Sequence, residues 1–453
     1  MSIENNRIGT VIVGLGSTGL SCAKYFMSIS REFRVVDTRL APPGLEQLLA
    51  LKPNVDLALG PFSDSVFDGA QELVVSPGVS LSTPEIRNAV NQGVKITGDI
   101  DIFSKQVGRP IVGVTGSNGK STVVAVLAEI CKEAGLSFAA GGNLDGEQFK
   151  PALDLLLEPR KDLYILELSS FQLETTESLN AQVATLLNLS EDHMDRYDSF
   201  DAYWLAKQRI FVGCKQALVN IDDSKSQPKA PHALSILAFG LSEPSSEGLG
   251  IRKENGLEYL EYGDQRIACV DELKVVGQHN IANVLAAAGL AITLGINLAA
   301  IRKAVTGFSG LPHRCQWAGV KRGVSFYNDS KGTNVGATVA AIEGLGKKTQ
   351  GKIVLIAGGV GKGADFKPLA ETIKRWVKTS ILIGQDAKAM AAKLDVESDI
   401  RFASTLEDAV KMAIEISESG DAVLLSPACA SFDMFDNFQH RGFAFMDAVR
   451  NLH

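Results

Sequence analysis

The fold of this chain is decided by one stretch, IVGVTGSNGKST, which occupies residues 111–122. A short run rich in β-branched residues leads into a glycine-rich turn, and an apolar pattern of helical period follows over residues 123–134. A strand, a loop and a helix in this order gather backbone N–H groups around one spot at the helix N-terminus, where they attract an anion. The stretch therefore predicts a phosphate-binding loop, in which the lysine adds charge and a hydroxyl can reach a metal ion.

The loop departs from the common phosphate-loop pattern of Gly, four residues, Gly-Lys-Ser/Thr. The first glycine of that pattern would fall at position 114, where this chain has Val114. An ordinary strand-to-helix turn, in which Gly and Ser also gather, is the alternative interpretation. We favour phosphate binding, because Gly-Lys-Ser-Thr at such a junction is much more specific than scattered glycines.

Composition limits the class of protein. The 453 residues suffice for about three domains, and 45% hydrophobic with 21% charged residues is typical of a soluble globular protein. A net charge of −7 argues against nucleic-acid binding, which requires basic surfaces. No apolar run reaches the length of a membrane span, and residues 1–7 lack the apolar core of a signal peptide. Six scattered cysteines without a Cys-x-x-Cys pair predict reduced thiols in a cytoplasmic protein.

A second glycine-rich turn lies near the N-terminus. A short apolar strand leads into residues 14–19, which fit Gly-x-Gly-x-x-Gly, and the next strand, over residues 33–36, ends at Asp37. Such a motif binds the pyrophosphate of a dinucleotide, with the acid on a ribose hydroxyl. A single match is weak evidence for NAD. It predicts that a diphosphate-like group can bind at this helix start, in a small parallel α/β domain that ends near Gly98.

Two strands of the middle region end in ionisable residues. Residues 164–168 are typical of a buried strand and carry Glu167 near its end, the usual place for a Mg²⁺ ligand beside a phosphate loop. A core ion pair is the alternative for this carboxylate. The strand over residues 184–189 is followed by Glu-Asp-His-Met-Asp-Arg at residues 191–196. We favour a metal or phosphate contact for His193 over a structural or exposed histidine.

Two other residues have plainer interpretations. Lys207 lies on an amphipathic helical pattern over residues 200–211, which predicts a solvated surface lysine. Asn280 opens an Ala- and Leu-rich helix that ends near Gly295, and asparagine at such a place is typical of a helix cap. Between these helices, residues 222–250 predict loops with short strands.

The region from residue 311 onward again alternates strands and helices, which predicts a doubly wound parallel sheet. Its predicted strands occupy residues 324–327, 353–357, 381–383 and 422–425. Polar turns follow three of these strands, at residues 328–334, 358–363 and 426–432. Ligands collect at the carboxyl ends of parallel strands. Lys331 and Lys362, in two of the turns, favour an anion site over simple βα turns.

Seven motifs in a fixed order indicate a family. They are Gly-Ser-Asn-Gly-Lys-Ser-Thr, Glu-Leu-Ser-Ser-Phe-Gln-Leu, Asn-Leu-Ser-Glu-Asp-His-Met-Asp-Arg, Gly-Gln-His-Asn, Leu-Pro-His-Arg, Asn-Asp-Ser-Lys-Gly-Thr-Asn and Ser-Pro-Ala-Cys-Ala-Ser-Phe-Asp. Along essentially its whole length the chain resembles the Mur ligases of bacterial peptidoglycan synthesis, and within them it most resembles the branch that adds D-glutamate.

The resemblance implies an α/β protein of three domains. Residues 1–98 would form a Rossmann-like domain for the UDP part of the substrate. Residues 99–310 would form a P-loop ATPase-like domain with a mostly parallel sheet. Residues 311–453 would form a Rossmann-like, doubly wound domain that closes over ATP and binds D-glutamate.

The resemblance also implies amide formation. ATP, UDP-MurNAc-L-Ala and D-glutamate would give ADP, phosphate and UDP-MurNAc-L-Ala-D-Glu. Transfer of the γ-phosphoryl group turns a poor acyl donor into an acyl phosphate, which the amine of glutamate then attacks through a tetrahedral intermediate. We expect a monomer with small-molecule substrates, without nucleic acid and without membrane insertion.

Roles for individual residues follow from the resemblance alone. The turn at residues 14–19 would serve the UDP-sugar and not NAD. The expected contacts of that substrate are Ser17, Thr18, Asp37, Thr38, Arg39, Ser76, Gly78 and Asn143. Those of ATP are Thr115, Gly116, Ser117, Asn118, Gly119, Lys120, Ser121, Thr122, Asn283, Arg314 and Asp329. Those of D-glutamate are Thr333, Lys362, Ser431 and Phe438. Two Mg²⁺ ions would be held by Ser121, Glu167, His193 and a carbamylated Lys207. The residues expected to act in catalysis are Lys120, Asn143, His193, Lys207, Arg314 and Lys331.

Other functions stay open at this point. A different amide ligase of the same superfamily could add another amino acid or extend folate with glutamate. An oxidoreductase would rest on residues 14–19 alone, and a non-catalytic nucleotide-binding regulator is a third class. One position departs from the family pattern: Gly332 stands where other members have Ala, which loosens that turn but leaves the roles of Asp329 and Lys331 intact.

Overall fold

The computed structural model describes residues 9–63, 65–144, 150–230, 235–275, 277–394 and 399–452. In this part of the chain, three separate sheets of five, nine and six strands follow one another. Most neighbouring strands run parallel, and helices cover the sheets. The expectation of an α/β protein with three mostly parallel sheets is thus confirmed.

The first sheet is parallel throughout. Its strands are β1 (Thr10–Val13), β2 (Arg34–Asp37), β3 (Asp56–Leu59), β4 (Glu72–Val75) and β5 (Lys95–Thr97). Its helices, with the one that leads out of it, are α1 (Ser17–Ser28), α2 (Leu45–Leu51), α3 (Pro84–Asn91) and α4 (Asp99–Gln106). The strand order is β3-β2-β1-β4-β5. The sequence did not indicate β3, because this edge strand is half-exposed and lacks the apolar run of a buried parallel strand.

The second sheet carries the phosphate-loop stretch. Its strands are β6 (Ile111–Thr115), β7 (Phe138–Gly142), β8 (Leu163–Glu167), β9 (Val183–Leu186), β10 (Gln216–Asn220), β11 (Ser235–Phe239), β12 (Leu249–Glu254), β13 (Leu257–Tyr262) and β14 (Gln265–Cys269). Its helices are α5 (Lys120–Glu133), α6 (Ala152–Leu155), α7 (Ser170–Glu174), α8 (Phe200–Gln208), α9 (Gln278–Thr293) and α10 (Leu298–Gly307). The strand order is β14-β13-β12-β11-β10-β9-β6-β8-β7.

Strand β6 lies inside this sheet, between β8 and β9, and all five of its residues are buried. A strand covered on both faces needs apolar residues at every position, which explains the unbroken run that begins at Ile111. One edge of the sheet is different, because β12, β13 and β14 pair in antiparallel fashion. The sequence had suggested only loops and short strands over the first part of this region.

The third sheet completes the described fold. Its strands are β15 (Gln316–Lys321), β16 (Val324–Asn328), β17 (Ile353–Gly358), β18 (Val377–Ile383), β19 (Asp399–Phe402) and β20 (Ala422–Leu425). Its helices are α11 (Val335–Gly346), α12 (Pro368–Trp376), α13 (Ala387–Ala391), α14 (Leu406–Ile416) and α15 (Phe438–Arg450). The order is β15-β16-β20-β17-β18-β19, and β15 alone is antiparallel to its neighbour. All four predicted strands are present, whereas the two edge strands were not predicted.

Two helix starts differ from the sequence interpretation. Helix α5 begins at Lys120 and not at residue 123, so the Lys-Ser-Thr of the loop forms its first turn. Helix α9 begins at Gln278 after Gly277, so the interpretation of Asn280 as its cap is wrong. Gly277 has a φ of 93°, a conformation that side chains other than glycine rarely adopt.

Two expectations drawn from composition can be compared with the fold. All six cysteines carry free thiols, in agreement with the absence of a disulfide pattern. Among the described residues, no helix is both long and apolar enough to cross a membrane.

Candidate functional site

The loop between β6 and α5 wraps around a single point. Gly116 and Gly119 have φ values of 153° and 85°, which let the backbone turn sharply before the helix. A Cβ atom on Gly119 would lie 2.2 Å from Oδ1 of Asn283, so only glycine permits this approach. Thr115, at the end of β6, donates its hydroxyl to the Leu168 carbonyl at 2.6 Å and so ties the loop to the end of β8.

The side chain of Lys120 folds over its own loop. Its Nζ donates to the carbonyl oxygens of Gly116 at 2.7 Å and Ser117 at 3.0 Å. Burial lowers the pKa of this lysine, against the opposing effect of Glu167 and Asp192. The ammonium group is thus held at the centre of the loop, where the N-terminus of α5 also favours a negative group.

Glu167 ends strand β8 directly beside β6, and it is 3% exposed. Asn143 donates from Nδ2 to Oε1 of this carboxylate at 3.2 Å. The second carboxylate oxygen, Glu167 Oε2, is buried and has no hydrogen-bond partner among the described residues. A buried carboxylate oxygen without a donor is costly unless a cation or water satisfies it. This carboxylate therefore fits a hard cation such as Mg²⁺, for which the hydroxyl of Ser121 in the first turn of α5 is a second candidate ligand.

The cluster around His193 follows β9. His193 has a φ of 58°, and its ring packs edge-on against Phe171 with centroids 4.9 Å apart. Burial lowers the pKa of His193 to about 4, although Asp192 acts in the opposite direction. The imidazole is therefore neutral near pH 7, the state in which a ring nitrogen can bind a metal ion. Among the described residues, no group of three or more His, Cys, Asp or Glu could hold a metal ion.

Lys207 lies in the core and not at the surface, which corrects the sequence interpretation. It is 2% exposed, and its Nζ donates to the Gly116 carbonyl at 2.9 Å and approaches Thr115 Oγ1 at 3.4 Å. The ammonium also lies 4.9 Å from the ring centroid of Tyr203. Burial and the nearby Lys120 lower the pKa of Lys207 well below its ordinary value. Helix α8 therefore presents a buried lysine to the back of the phosphate loop, in surroundings that disfavour its charged form.

Three side chains reach from the third domain to the second. Arg314 donates to Ser121 Oγ at 2.8 Å. Asn334 donates from Nδ2 to Asn118 Oδ1 at 3.0 Å and to Asp192 Oδ2 at 3.3 Å. Lys362 donates to Asp192 Oδ1 at 2.6 Å. Loops at the carboxyl ends of two sheets therefore face each other across the phosphate loop.

A cavity of about 280 Å³ opens between these loops. It is lined from both sides, and the predicted residues among its walls are Asn118, Gly119, Thr122, Asn283, Arg314, Asp329 and Lys331. The sequence did not indicate three further wall residues, Leu187, Phe239 and His279. Leu187 and Phe239 lie at or just beyond strand ends, where an apolar residue looks like ordinary core. His279 lies within the motif Gly-Gln-His-Asn, but the sequence analysis did not select it as a site residue.

The carboxylate of Asp329 already has two protein donors. Ser426 donates its hydroxyl to Oδ2 at 2.7 Å, and the Cys315 N–H donates to Oδ1 at 3.1 Å. Burial raises the pKa of Asp329 to about 6, although these hydrogen bonds lower it. A Cβ atom on Gly332 would lie 2.4 Å from Asp329 Oδ2, so the glycine noted in the sequence leaves room for this carboxylate.

A second cleft, of about 670 Å³, joins the first domain to the second. It contains every first-domain residue predicted to contact substrate, together with one from the second domain: Ser17, Thr18, Asp37, Thr38, Arg39, Ser76, Gly78 and Asn143. Asp37 accepts hydrogen bonds from the Leu15 N–H at 2.7 Å and from the Arg39 side chain at 2.6 Å. The cleft also contains Gln172, which the sequence analysis did not select although it lies within one of the seven motifs.

The candidate glutamate residues lie on three loops that are tied together. Val360 and Ala430 exchange two backbone hydrogen bonds, which join the loop of Lys362 to that of Ser431. The Ala428 N–H donates to the Gly332 carbonyl at 2.8 Å and adds the loop of Thr333. Phe438, the fourth candidate residue, has two contacts with the same region. Lys331 Nζ lies 3.8 Å from its ring centroid, and Ser330 donates its hydroxyl to the Phe438 carbonyl.

These features define an α/β nucleotide-binding protein whose third domain reaches over a phosphate loop. Three family profiles match successive parts of the chain: the MurD-like N-terminal domain of Mur ligases at residues 9–98, the Mur ligase middle domain at residues 114–291, and the glutamate ligase domain of Mur ligases at residues 313–429. The chain belongs to the Mur ligase family, whose members are ATP-dependent, ADP-forming ligases.

Relatives of known name cover the whole chain. A protein of Marinobacter nauticus is 48% identical over 100% of both chains, and one of Pseudomonas aeruginosa is 47% identical over 98% of both. Each is named UDP-N-acetylmuramoylalanine–D-glutamate ligase.

Two solved structures share the fold at low sequence identity. A pseudomurein peptide ligase type C of Methanothermus fervidus matches with a TM-score of 0.64 at 18% identity, over 98% of this chain and 100% of its own. MurF of Acinetobacter baumannii matches with a TM-score of 0.63 at 18% identity, over 98% and 95%. At such identity the likeness concerns the fold alone.

Proposed function

We propose that the protein joins D-glutamate to UDP-N-acetylmuramoyl-L-alanine and converts ATP to ADP and phosphate, as a step in building the peptidoglycan precursor. The observation that carries this proposal is the position of Asn143. Asn143 lines the first-domain cleft and also donates to Glu167 beside the phosphate loop. A substrate whose UDP part occupies the cleft therefore presents its other end to the γ-phosphate of ATP.

The chemistry proceeds in two transfers. An oxygen of the alanine carboxylate attacks the γ-phosphorus, the bond to the β-phosphate oxygen breaks, and ADP leaves. The neutral amine of D-glutamate then attacks the acyl carbon, and the tetrahedral intermediate expels phosphate as the amine loses its extra proton. Positioning and charge neutralisation supply most of the acceleration in such reactions.

The phosphate loop and its neighbours hold the triphosphate. We assign Thr115, Gly116, Ser117, Asn118, Gly119, Lys120, Ser121 and Thr122 to its contacts. The orphaned Oε2 of Glu167, the hydroxyl of Ser121 and the neutral ring of His193 suit two Mg²⁺ ions. Bound there, the ions would neutralise charge that develops on the phosphoryl oxygens. Lys120 is held where it contacts the same phosphates, and Asn143 is placed to orient the acyl group.

Lys207 suits a carbamate. Its neutral amine attacks carbon dioxide, an N–C bond forms, and a proton leaves to give an anionic side chain. Burial against Lys120 favours this change, because it replaces one of two neighbouring cations by an anion. The carbamate oxygens would support the metal ion nearest His193.

The third domain supplies the remaining contacts. In this assignment Asn283 contacts adenine, Asp329 the ribose and Arg314 the phosphates, while Lys331 lines the closed site. D-Glutamate lies against Thr333, Lys362, Ser431 and Phe438, where the lysine and the hydroxyls meet its carboxylates. The UDP part lies against Ser17, Thr18, Asp37, Thr38, Arg39, Ser76 and Gly78.

Domain boundaries at residues 98 and 310 follow from the same assignment. Residues 1–98, 99–310 and 311–453 would form the UDP, ATP and glutamate domains. We place the reaction in the cytoplasm, since the six thiols are free and the substrates are nucleotides. The protein would act as a monomer, because all the proposed contacts come from one chain.

Phosphate release from ATP tests the proposal. Release should require UDP-MurNAc-L-Ala and D-glutamate together, and mass spectrometry should detect UDP-MurNAc-L-Ala-D-Glu. L-Glutamate and other amino acids serve as controls with the same muramoyl substrate. Release with L-glutamate and a folate, but not with the muramoyl nucleotide, would overturn the assignment.

A further inference from the structure

The carboxylate of Asp99 is buried at the junction of the first two domains. Asp99 is the first residue of α4, directly after the first-domain profile ends, and it is 2% exposed. Its Oδ1 has no hydrogen-bond partner among the described residues. Burial raises the pKa of Asp99 to about 6, although Gln172 and the backbone N–H groups of Asp99 and Ile100 act to lower it. These donors do not fully offset the burial of the charge, which suggests a role other than packing.

The other oxygen of this carboxylate accepts a hydrogen bond from a residue that lines the substrate cleft. Gln172 donates from Nε2 to Asp99 Oδ2 at 3.3 Å. Ser169 holds the opposite side of the glutamine amide, because its N–H and its hydroxyl both donate to Gln172 Oε1, at 3.1 and 3.2 Å. These donors identify the oxygen of the amide, so its NH₂ group must face Asp99.

Gln172 therefore has one amide hydrogen left to offer. An amide NH₂ has two hydrogens, and Asp99 takes one of them. Among the described residues, no other acceptor is paired with this nitrogen. Gln172 lines the cleft together with Asn143, which contacts Glu167 at the phosphate loop. The remaining hydrogen is available to an acceptor on a bound ligand, near the end of the cleft where the acyl group would lie.

We propose that Asp99 is a positioning residue for the muramoyl substrate, and that it fixes the amide of Gln172 so that the second N–H donates to a carbonyl oxygen of that substrate. The inference rests on the proposed function, since it takes the cleft as the binding site of UDP-MurNAc-L-Ala. Asp99 itself touches no substrate in this arrangement. It acts through Gln172. Because Asp99 is the first residue of α4, it also connects this helix to the cleft.

Asp101, in the same helical turn, provides a matched control. It is equally buried, but it accepts from the Glu177 N–H at 2.8 Å, from Thr97 at 3.0 Å and from Lys105 at 2.8 Å. These contacts join α4 to strand β5 through Thr97 and to the residues after α7 through Glu177, without involving Gln172. Substitution of Asp101 should therefore weaken the fold and leave the cleft intact.

The test compares Asp99→Leu, Asp99→Asn and Asp101→Leu. Asp99→Leu should raise KM for UDP-MurNAc-L-Ala roughly tenfold, the change expected for loss of one hydrogen bond in a binding site. KM for ATP and for D-glutamate should stay unchanged, and the melting temperature should stay equal or rise. Asp99→Asn should restore the muramoyl KM, because its amide oxygen still accepts from Gln172. Asp101→Leu should lower the melting temperature with all three KM values unchanged.

Several results would overturn the role of Asp99. They are an unchanged muramoyl KM in Asp99→Leu, an equal rise in all three KM values, or the same pattern in Asp101→Leu. If Asp99→Leu does not fold, Asp99→Ser, whose side chain is too short to hold the amide, takes its place. Calorimetric binding of UDP-MurNAc-L-Ala without ATP gives a readout independent of turnover. Wild-type protein that neither binds this substrate nor releases phosphate refutes the proposed function instead.

Discussion

Lys362 Nζ lies 2.6 Å from Asp192 Oδ1, and this ion pair links the loop after β17 to the loop after β9. The two side chains are only 18% and 10% exposed. Burial acts to raise the pKa of Asp192, but Lys362 and His193 outweigh it and the pKa lies below its ordinary value. The lysine that we assign to a carboxylate of D-glutamate thus already holds a carboxylate of the protein. A carboxylate of the amino acid either displaces Asp192 from Lys362 or shares the three N–H donors of the ammonium group with it.

Lys362→Met should raise KM for D-glutamate roughly 100-fold, because a half-buried charge-assisted contact is lost. KM for ATP should change little, since the phosphates have Lys120 and Arg314. Initial rates of phosphate release, measured at varied D-glutamate and separately at varied ATP, give the two KM values. Lys367→Met is the matched control, because this exposed lysine follows in the same connection. An unchanged KM for D-glutamate in Lys362→Met would place the amino acid elsewhere.

Glu167→Gln should lower turnover roughly 100-fold, since even residues that only support a metal ligand contribute up to about this factor. It keeps the shape of the side chain and the acceptor for Asn143, but it removes the negative charge of the orphaned Oε2. The concentration of Mg²⁺ required for half-maximal rate should rise. The control is Glu158→Gln, whose carboxylate lies near the protein surface and pairs with Lys150. A variant with an unaltered Mg²⁺ requirement would exclude Glu167 from the metal site.

Lys207→Ala should lose nearly all activity, and short carboxylic acids such as acetate or formate should restore part of it. The acid would occupy the space of the proposed carbamate and supply its anionic oxygens. Lys215→Ala, at an exposed lysine, should behave like the wild type with or without added acid. Full activity in Lys207→Ala would refute the carbamate. Loss of activity without rescue, in a variant that melts at the wild-type temperature, would favour the contact to Gly116 over the carbamate.

His279 should make stability depend on pH between about 4 and 6.5. Burial, together with Arg314, lowers the pKa of His279 from 6.5 to about 4. In that interval the unfolded chain binds more protons than the folded protein does. The contribution of His279 to the free energy of unfolding is therefore fully present above pH 6.5 and is lost as the pH falls to 4. The contribution is at most about 3 kcal/mol for a shift of this size. Denaturant midpoints at several pH values should fall less steeply in His279→Gln than in the wild type. His440→Gln, at an exposed histidine, should not flatten the profile.

The fold could be predicted from sequence to the extent that buried strands carry unbroken apolar runs. The strands β6, β8, β17 and β20 were found for this reason, whereas the edge strands β3, which is half-exposed, and β19, which is mostly exposed, were missed. Site residues at strand ends, such as Glu167, stood out because a charge after an apolar run needs an explanation. Lys207 did not stand out in the sequence. No local pattern shows whether one face of a helix is exposed to solvent or packs against a loop from another part of the chain. Asp99 and Gln172 were missed because they lie 73 residues apart in the sequence and become neighbours only in the folded structure.

Asn334→Asp should open the contact between the second and third domains. Asn334 caps α11 through Oδ1, which accepts from the Ala337 N–H at 2.9 Å, while its Nδ2 donates to Asn118 and Asp192. Aspartate retains the cap but places a second carboxylate against Asp192, and like charges at this distance repel.

The radius of gyration from small-angle scattering should therefore increase in Asn334→Asp, and KM for ATP should rise roughly tenfold as the cavity between the domains loosens. Asn437→Asp is the matched control, because Asn437 caps α15 in the same way and lies exposed. Addition of ATP and Mg²⁺ should narrow the difference between Asn334→Asp and the wild type, since the nucleotide binds both domains. Identical scattering profiles for the two proteins without ligand would mean that Asn334 contributes nothing to holding the domains together.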